Sequence, residues 1–176
     1  MRRLVLPATV VLLAVLGAAA TAQTTTPEPE SMKLAVFVGN WTAEGDVFAT
    51  PLGPAGKTTG STSLEMLGNS FLVGHYQDKG PSGESRGVEV YGYDTAKKTG
   101  TWVGFDKSGV STTGTWSVSG NNWVMTGTMQ LPGKTMEQKC SIVVAVDGMS
   151  VSGKCELSTD GKSWLPSGNV KYTKVK

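Results

Sequence analysis

The chain has 176 residues, with 16 Lys+Arg, 14 Asp+Glu and a single histidine, for a formal net charge of +2. So even a balance offers no basic stripe for nucleic acid. One histidine excludes a multi-histidine metal centre, and two cysteines are too few for a zinc cluster.

The start of the chain reads as a secretory signal. Arg2 and Arg3 give a positive start, Leu4 to Ala20 form an apolar run, and Ala20-Thr21-Ala22 is a small-x-small cleavage site. The mature chain is therefore expected to begin near Gln23 and to be secreted or periplasmic. The small-residue end and the polar segment after it favour cleavage over a membrane span. No cysteine stands at the cleavage site, so no stable membrane anchor is expected. Loss of residues 1–22 removes two basic residues and no acidic one, leaving 14 against 14. Residues 23–30, QTTTPEPE, read as a flexible linker. The remainder, 31–176, suits one domain with a real core.

Ser31 to Val38 reads as a short helix, with Ser31 as N-cap and Leu34, Phe37 and Val38 at helical spacing. After Gly39 the pattern changes. About ten short alternating runs follow, near 40–48, 57–67, 70–78, 86–94, 99–106, 110–118, 122–130, 136–146, 149–157 and 168–175. Gly, Asn, Asp and Ser separate them, which predicts an all-β sandwich or barrel.

Turn signals fix the pairings, because directly opposed residues share a face. Gly68-Asn69 as a two-residue turn pairs Met66 with Phe71 and Leu64 with Val73. Thr95 to Lys98 pairs Val90 with Val103. Gly120-Asn121 pairs Val118 with Trp123 and Trp116 with Met125. Asp147-Gly148 pairs Val144 with Val151 and Cys140 with Cys155. The product is an up-and-down antiparallel barrel of roughly eight to ten strands, closed so that no edge is exposed.

The expected inner face supplies the candidates for a ligand cavity. These are Phe71 and His75 on the third strand, Val90 on the fourth, Val103 and Phe105 on the fifth, Trp116 on the sixth, and Trp123 and Met125 on the seventh. His75 has three readings: a structural histidine satisfied opposite Thr62, a contact to an organic ligand, or an axial haem ligand. Tyr76, Tyr91, Tyr93 and Trp102 fall on the other face. They either pack under the N-terminal helix, form an outer contact patch, or show that the faces are reversed here and the aromatics line the interior.

Cys140 and Cys155 are expected to face one another. In an exported chain they either close a cross-strand disulfide or remain two buried thiols. Counted from a two-residue turn, the pair falls at a hydrogen-bonded position, where Cα atoms stand further apart.

Catalytic motifs are sparse. No Gly-x-Ser-x-Gly occurs. PGKT (132–135) and DGKS (160–163) lack the upstream glycine of a phosphate loop and read as hairpin turns. No catalytic residue, metal or cofactor is assigned, and an enzyme is not expected.

The order FVGNWTAEG, SLEMLGNSFLVGHY, GVEVYGYDTAKKTGTWVGFDKSG, TGTWS and STDGKSWLPSGNVKYTKVK resembles the exported bacterial domain-of-unknown-function 1579 family, from about Leu34 to Lys176. The opening Gly39-x-Trp41 also resembles calycins, the superfamily of lipocalins and fatty-acid-binding proteins. That resemblance implies a barrel whose floor is closed by Gly39 and Trp41 and whose interior holds an apolar small molecule. The arginine that calycins pack on this tryptophan from near the last strand has no match here; the nearest candidate, Lys171 or Lys174, is not the same chemistry. The functional expectation is a binding module for a small apolar or amphipathic molecule, as a monomer or homodimer. The alternative is a filled barrel that acts as an interaction protein through its outer aromatic face.

Overall fold

The computed structural model describes residues 29–176; the signal expected over 1–22 and most of the linker expected over 23–30 lie outside the described residues. A short helix, α1 (Pro29–Met32), runs into a 3-10 turn over Lys33–Phe37. Ten strands follow: β1 (Gly39–Val47), β2 (Gly56–Leu67), β3 (Phe71–Gly80), β4 (Gly83–Asp94), β5 (Thr99–Asp106), β6 (Ser111–Ser119), β7 (Asn122–Leu131), β8 (Lys134–Val144), β9 (Ser150–Ser158) and β10 (Leu165–Lys174). Each pairs antiparallel with its neighbours in sequence, and β1 pairs with β10 to close the ring. The up-and-down barrel read from the hairpins is what the chain adopts, at ten strands.

The N-terminal turn closes one end. Leu34 and Trp41 are almost fully buried there, and Phe37 meets Trp123 edge-on at 4.9 Å between ring centroids. The Trp41 indole N–H donates to the Phe37 carbonyl at 2.8 Å, so the ring is locked to the turn that covers it. Ser31 lies inside α1 and does not cap it; its hydroxyl donates to the Asn69 carbonyl at 3.3 Å and ties α1 to the β2–β3 turn.

Gly39 and Trp41 act together with Lys174. The ammonium of Lys174 sits 5.1 Å from the Trp41 ring centroid, the geometry of a cation–π contact. Gly39 has φ +129°, and a Cβ there would stand 2.8 Å from Lys174 Cε. The glycine permits the backbone conformation and clears the path of the lysine stem.

The registers of β4–β5, β6–β7 and β8–β9 are those expected, including Val90 opposite Val103, Trp116 opposite Met125 and Cys140 opposite Cys155. The β2–β3 hairpin differs. Its loop has three residues, Gly68 to Ser70, so Leu67 faces Phe71 and Met66 faces Leu72. One residue of slip moves a whole strand's side chains to the other face. Phe71, Val73 and His75 therefore point outward and Leu72 and Tyr76 inward. The inversion carries into β4 and β5 through Leu72 opposite Tyr91 and Tyr91 opposite Trp102. Phe71 and Phe105 are 46% and 52% exposed, whereas Leu72 and Trp102 are buried.

The disulfide forms, with Cα atoms 4.1 Å apart. The β8–β9 loop closes one pair earlier than a two-residue turn would. Ala145 N–H donates to the Ser150 carbonyl at 2.8 Å, leaving Val146 to Met149 as the loop. Counting back from Ala145, Cys140 and Cys155 fall at a non-hydrogen-bonded pair, where strands approach more closely.

Candidate functional site

The barrel encloses a cavity of about 430 Å³, within the usual range for small-molecule sites. Four of the five tryptophans reach it: Trp41, Trp102, Trp116 and Trp123. Their indole N–H groups are largely spoken for. Trp102 donates to the Thr126 carbonyl at 3.1 Å, and Trp116 to the carbonyls of Gly92 and Thr101 at 3.0 and 3.2 Å. With those donors bound to backbone, the rings offer the cavity apolar faces. Glycine makes room for one of them: a Cβ on Gly100 would lie 2.1 Å from the Trp116 ring. Leu64, Leu72, Met125, Ile142 and Val170 complete the apolar wall, and the Cys140–Cys155 disulfide is part of the lining.

The polar part of the wall is mainly acidic and phenolic, with Thr62, Ser85 and Gln138 beside it. Asp78 and Tyr76 come from β3, Glu89 and Tyr91 from β4, and Tyr172 from β10. Glu89 sits opposite Gly74 on one side and Gly104 on the other, which leaves its carboxyl unobstructed across the sheet. The Tyr91 hydroxyl donates to Glu89 Oε2 at 2.5 Å. Burial pushes the Glu89 carboxyl up; the Tyr91 hydrogen bond opposes this and the charge of Asp78 adds to it. Burial also raises Asp78. Tyr91 and Tyr172 are driven above the ordinary phenol range, first by burial and then by the nearby carboxylates. Tyr76 is pushed up to about 12 by burial, then by Asp106 and Glu89.

At the rim Asp106 behaves in the opposite way. Ser85 Oγ donates to its Oδ2 at 2.5 Å, Tyr76 to the same oxygen at 3.3 Å, and the Ser108 N–H to Oδ1 at 2.7 Å. Burial pushes this carboxyl up, but the hydrogen bonds from Ser108, Ser85 and Tyr76 outweigh it and hold it at about 2.

The segment between β1 and β2 passes over this end of the barrel. Gly53 packs against Ser82 of the β3–β4 turn, and Lys134 at the start of β8 donates its ammonium to the Pro51 carbonyl at 3.4 Å.

Of the residues expected to line a cavity, Trp116, Trp123 and Met125 do so. Phe71, His75, Val90, Val103 and Phe105 do not; the three-residue β2–β3 loop turns them outward. His75 is exposed on the outer face, so neither an axial haem contact inside the barrel nor a partner in the core applies to it. Tyr76, Tyr91, Tyr93 and Trp102 are inside, with Tyr91 stacked on Trp102 at 6.2 Å and 17° and Tyr93 against Trp116. An outer aromatic patch built from these four residues is thereby ruled out. Asp78, Glu89 and Tyr172 were not among the candidates. Their signal was parity: Glu89 shares a face with Tyr91 and Tyr93, whose size argues for the interior. Among the described residues no group of three or more His, Cys, Asp or Glu is placed to hold a metal ion.

A closed, ten-strand up-and-down barrel floored by Gly39, Trp41 and Lys174 and hollow above them is calycin-like in architecture. The chain belongs to the family described as Protein of unknown function (DUF1579), whose model matches residues 26–160. Among solved structures it is similar to the crystal structure of Rv2717c from M. tuberculosis, with a TM-score of 0.61 and 16% identity over 86% of this chain and 100% of that one. At that identity the likeness concerns the fold. No curated protein sequence is significantly similar to this chain.

Proposed function

We propose that this protein is an exported carrier that binds a small amphipathic molecule inside its barrel. The observation that carries this reading is the 430 Å³ cavity, aromatic on most sides and acidic and phenolic on one. A filled structural barrel has no use for such a space, and an amphipathic guest matches its two-sided lining. Binding is the role read here in place of catalysis: the one histidine faces solvent outside the barrel. The signal read in residues 1–22 and the Cys140–Cys155 disulfide support a secreted or periplasmic location. The carrier is taken to work as a monomer or homodimer, without nucleic acid and without a stable membrane anchor.

Native mass spectrometry of the mature protein, purified from the cells that export it, tests this reading. The expected result is a reproducible added mass that disappears on denaturing extraction. A bare protein that also takes up no hydrophobic dye, amphiphile or lipid overturns it.

A further inference from the structure

We infer that the guest is a primary amine, bound as its ammonium against Asp78, Glu89 and Tyr172 with its apolar body among the tryptophans. The inference rests on the carrier reading above and names the chemical class of the guest.

The wall has acceptors to spare and no cation to meet them. Glu89 Oε2 accepts the Tyr91 hydrogen bond, while the Asp78 carboxyl makes no hydrogen bond among the described residues. The Tyr172 hydroxyl is deeply buried on the same cavity and has no hydrogen-bond partner among them either. Among the described residues no lysine, arginine or histidine lines the cavity. The buried Glu89 carboxyl and the Tyr172 phenol are costly to desolvate unless something satisfies them, and the half-buried Asp78 carboxyl stands beside them at the mouth. A bound ammonium does so. It brings three donors and no acceptor, which matches Glu89, Asp78 and the phenol oxygen of Tyr172. A hydroxyl head brings one donor. A carboxylate head brings none and repels both acids. The Tyr91–Trp102 stack beside Glu89 adds a π surface that favours a cation.

The groups facing Glu89 are Asp78 and Tyr76 from β3, Tyr91 from its own strand, Tyr172 from β10 and, through Tyr76, Asp106 from β5. All are acids. Burial and the charge of Asp78 raise the cost of a charged Glu89, and an entering ammonium offsets that cost.

The test compares 1-octylamine, 1-octanol and octanoate, matched in tail and different in head, by quenching of the cavity tryptophans and by calorimetry. Octylamine is expected to bind about tenfold or more tighter than either counterpart. Glu89→Gln and Asp78→Asn are each expected to reduce the preference to within about threefold while octanol binding is retained. Thermal unfolding of both variants confirms that they fold, and the wild-type ranking of the three head groups stands as an independent readout. Octanol or octanoate binding as tightly as octylamine overturns the amine assignment and leaves the interior site standing. No binding of all three overturns both.

Discussion

Lys174 lies with its ammonium 5.1 Å from the Trp41 ring centroid, and the two residues come from the last and first strands of the barrel. The contact joins β1 to β10 at the closed end of the barrel, where Trp41 is 2% exposed. Trp41→Ala is expected to lose roughly 3–5 kcal/mol of stability, from the buried ring and the void it leaves. Lys174→Ala is expected to lose about 0.5–2 kcal/mol, through the cation–π contact and its aliphatic stem. Urea unfolding at neutral pH measures both; a Trp41→Ala protein as stable as the parent refutes the floor assignment.

The acids of the barrel pull its pH dependence in two directions. A carboxyl whose folded pKa lies above its unfolded value adds stability at low pH and loses it as pH rises through the folded value. Glu89 and Asp78 belong to this class, starting from ordinary values of 4.5 and 3.8. Asp106 is held down at about 2 from 3.8, so its contribution is present above the higher value and lost as pH falls through the lower. Stability is therefore expected to peak in mildly acidic solution and to fall as pH rises to neutrality. Glu89→Gln is expected to flatten the neutral limb and to be more stable than the parent at pH 7, and Asp106→Asn to flatten the acid limb. Melting temperatures across the range decide this; a parent whose Tm climbs steadily from about pH 4 to about pH 8 contradicts it.

The Cys140–Cys155 bridge closes a loop with a sequence separation of 15 residues. Its removal, by reduction or as a double Ser variant, is expected to cost about 3 kcal/mol. Because the bridge lines the cavity, the same change is expected to weaken octylamine binding as well as stability. Denaturation and fluorescence titration with and without reductant measure the two effects.

His75→Ala is expected to shift stability by no more than about 0.5 kcal/mol, as for other exposed positions, and to leave amine binding unaltered. Leu72→Ala, three residues earlier and 1% exposed, is expected to cost roughly 2–5 kcal/mol. Equal effects at the two positions would return His75 to the interior.

That contrast marks what the sequence makes legible. Strand number, order and most registers follow from turn signals and alternation, because Val118–Trp123, Trp116–Met125 and Val144–Val151 leave one face plainly apolar. From β3 to β5 both faces carry large apolar groups: Val73, Val90, Val103 and Phe105 on one, Leu72, Tyr91 and Trp102 on the other. Alternation alone does not orient such a strand, and the decision falls to one turn. Gly68-Asn69-Ser70 reads as a two-residue loop as readily as a three-residue one, and the choice interchanges the contents of inside and outside. The acidic wall was hidden by the same ambiguity, since a glutamate between two valines looks like a solvent-facing residue. The greater burial value of the aromatics on its face is the physical cue that resolves it.

The seam of the ring has a consequence for how the chain is made. β1 finds half of its hydrogen-bonding partners in β10, from Trp41 opposite Lys174 to Val47 opposite Gly168. These are the first and last strands of the barrel to be synthesised. Until Leu165–Lys174 has emerged, the growing meander keeps β1 as an open edge, and the floor tryptophan lacks the lysine that covers it. The hollow is thus closed only once β10 has joined β1. A chain cut short before its final strand keeps nine strands of correct pattern and a permanent invitation to pair with its neighbours.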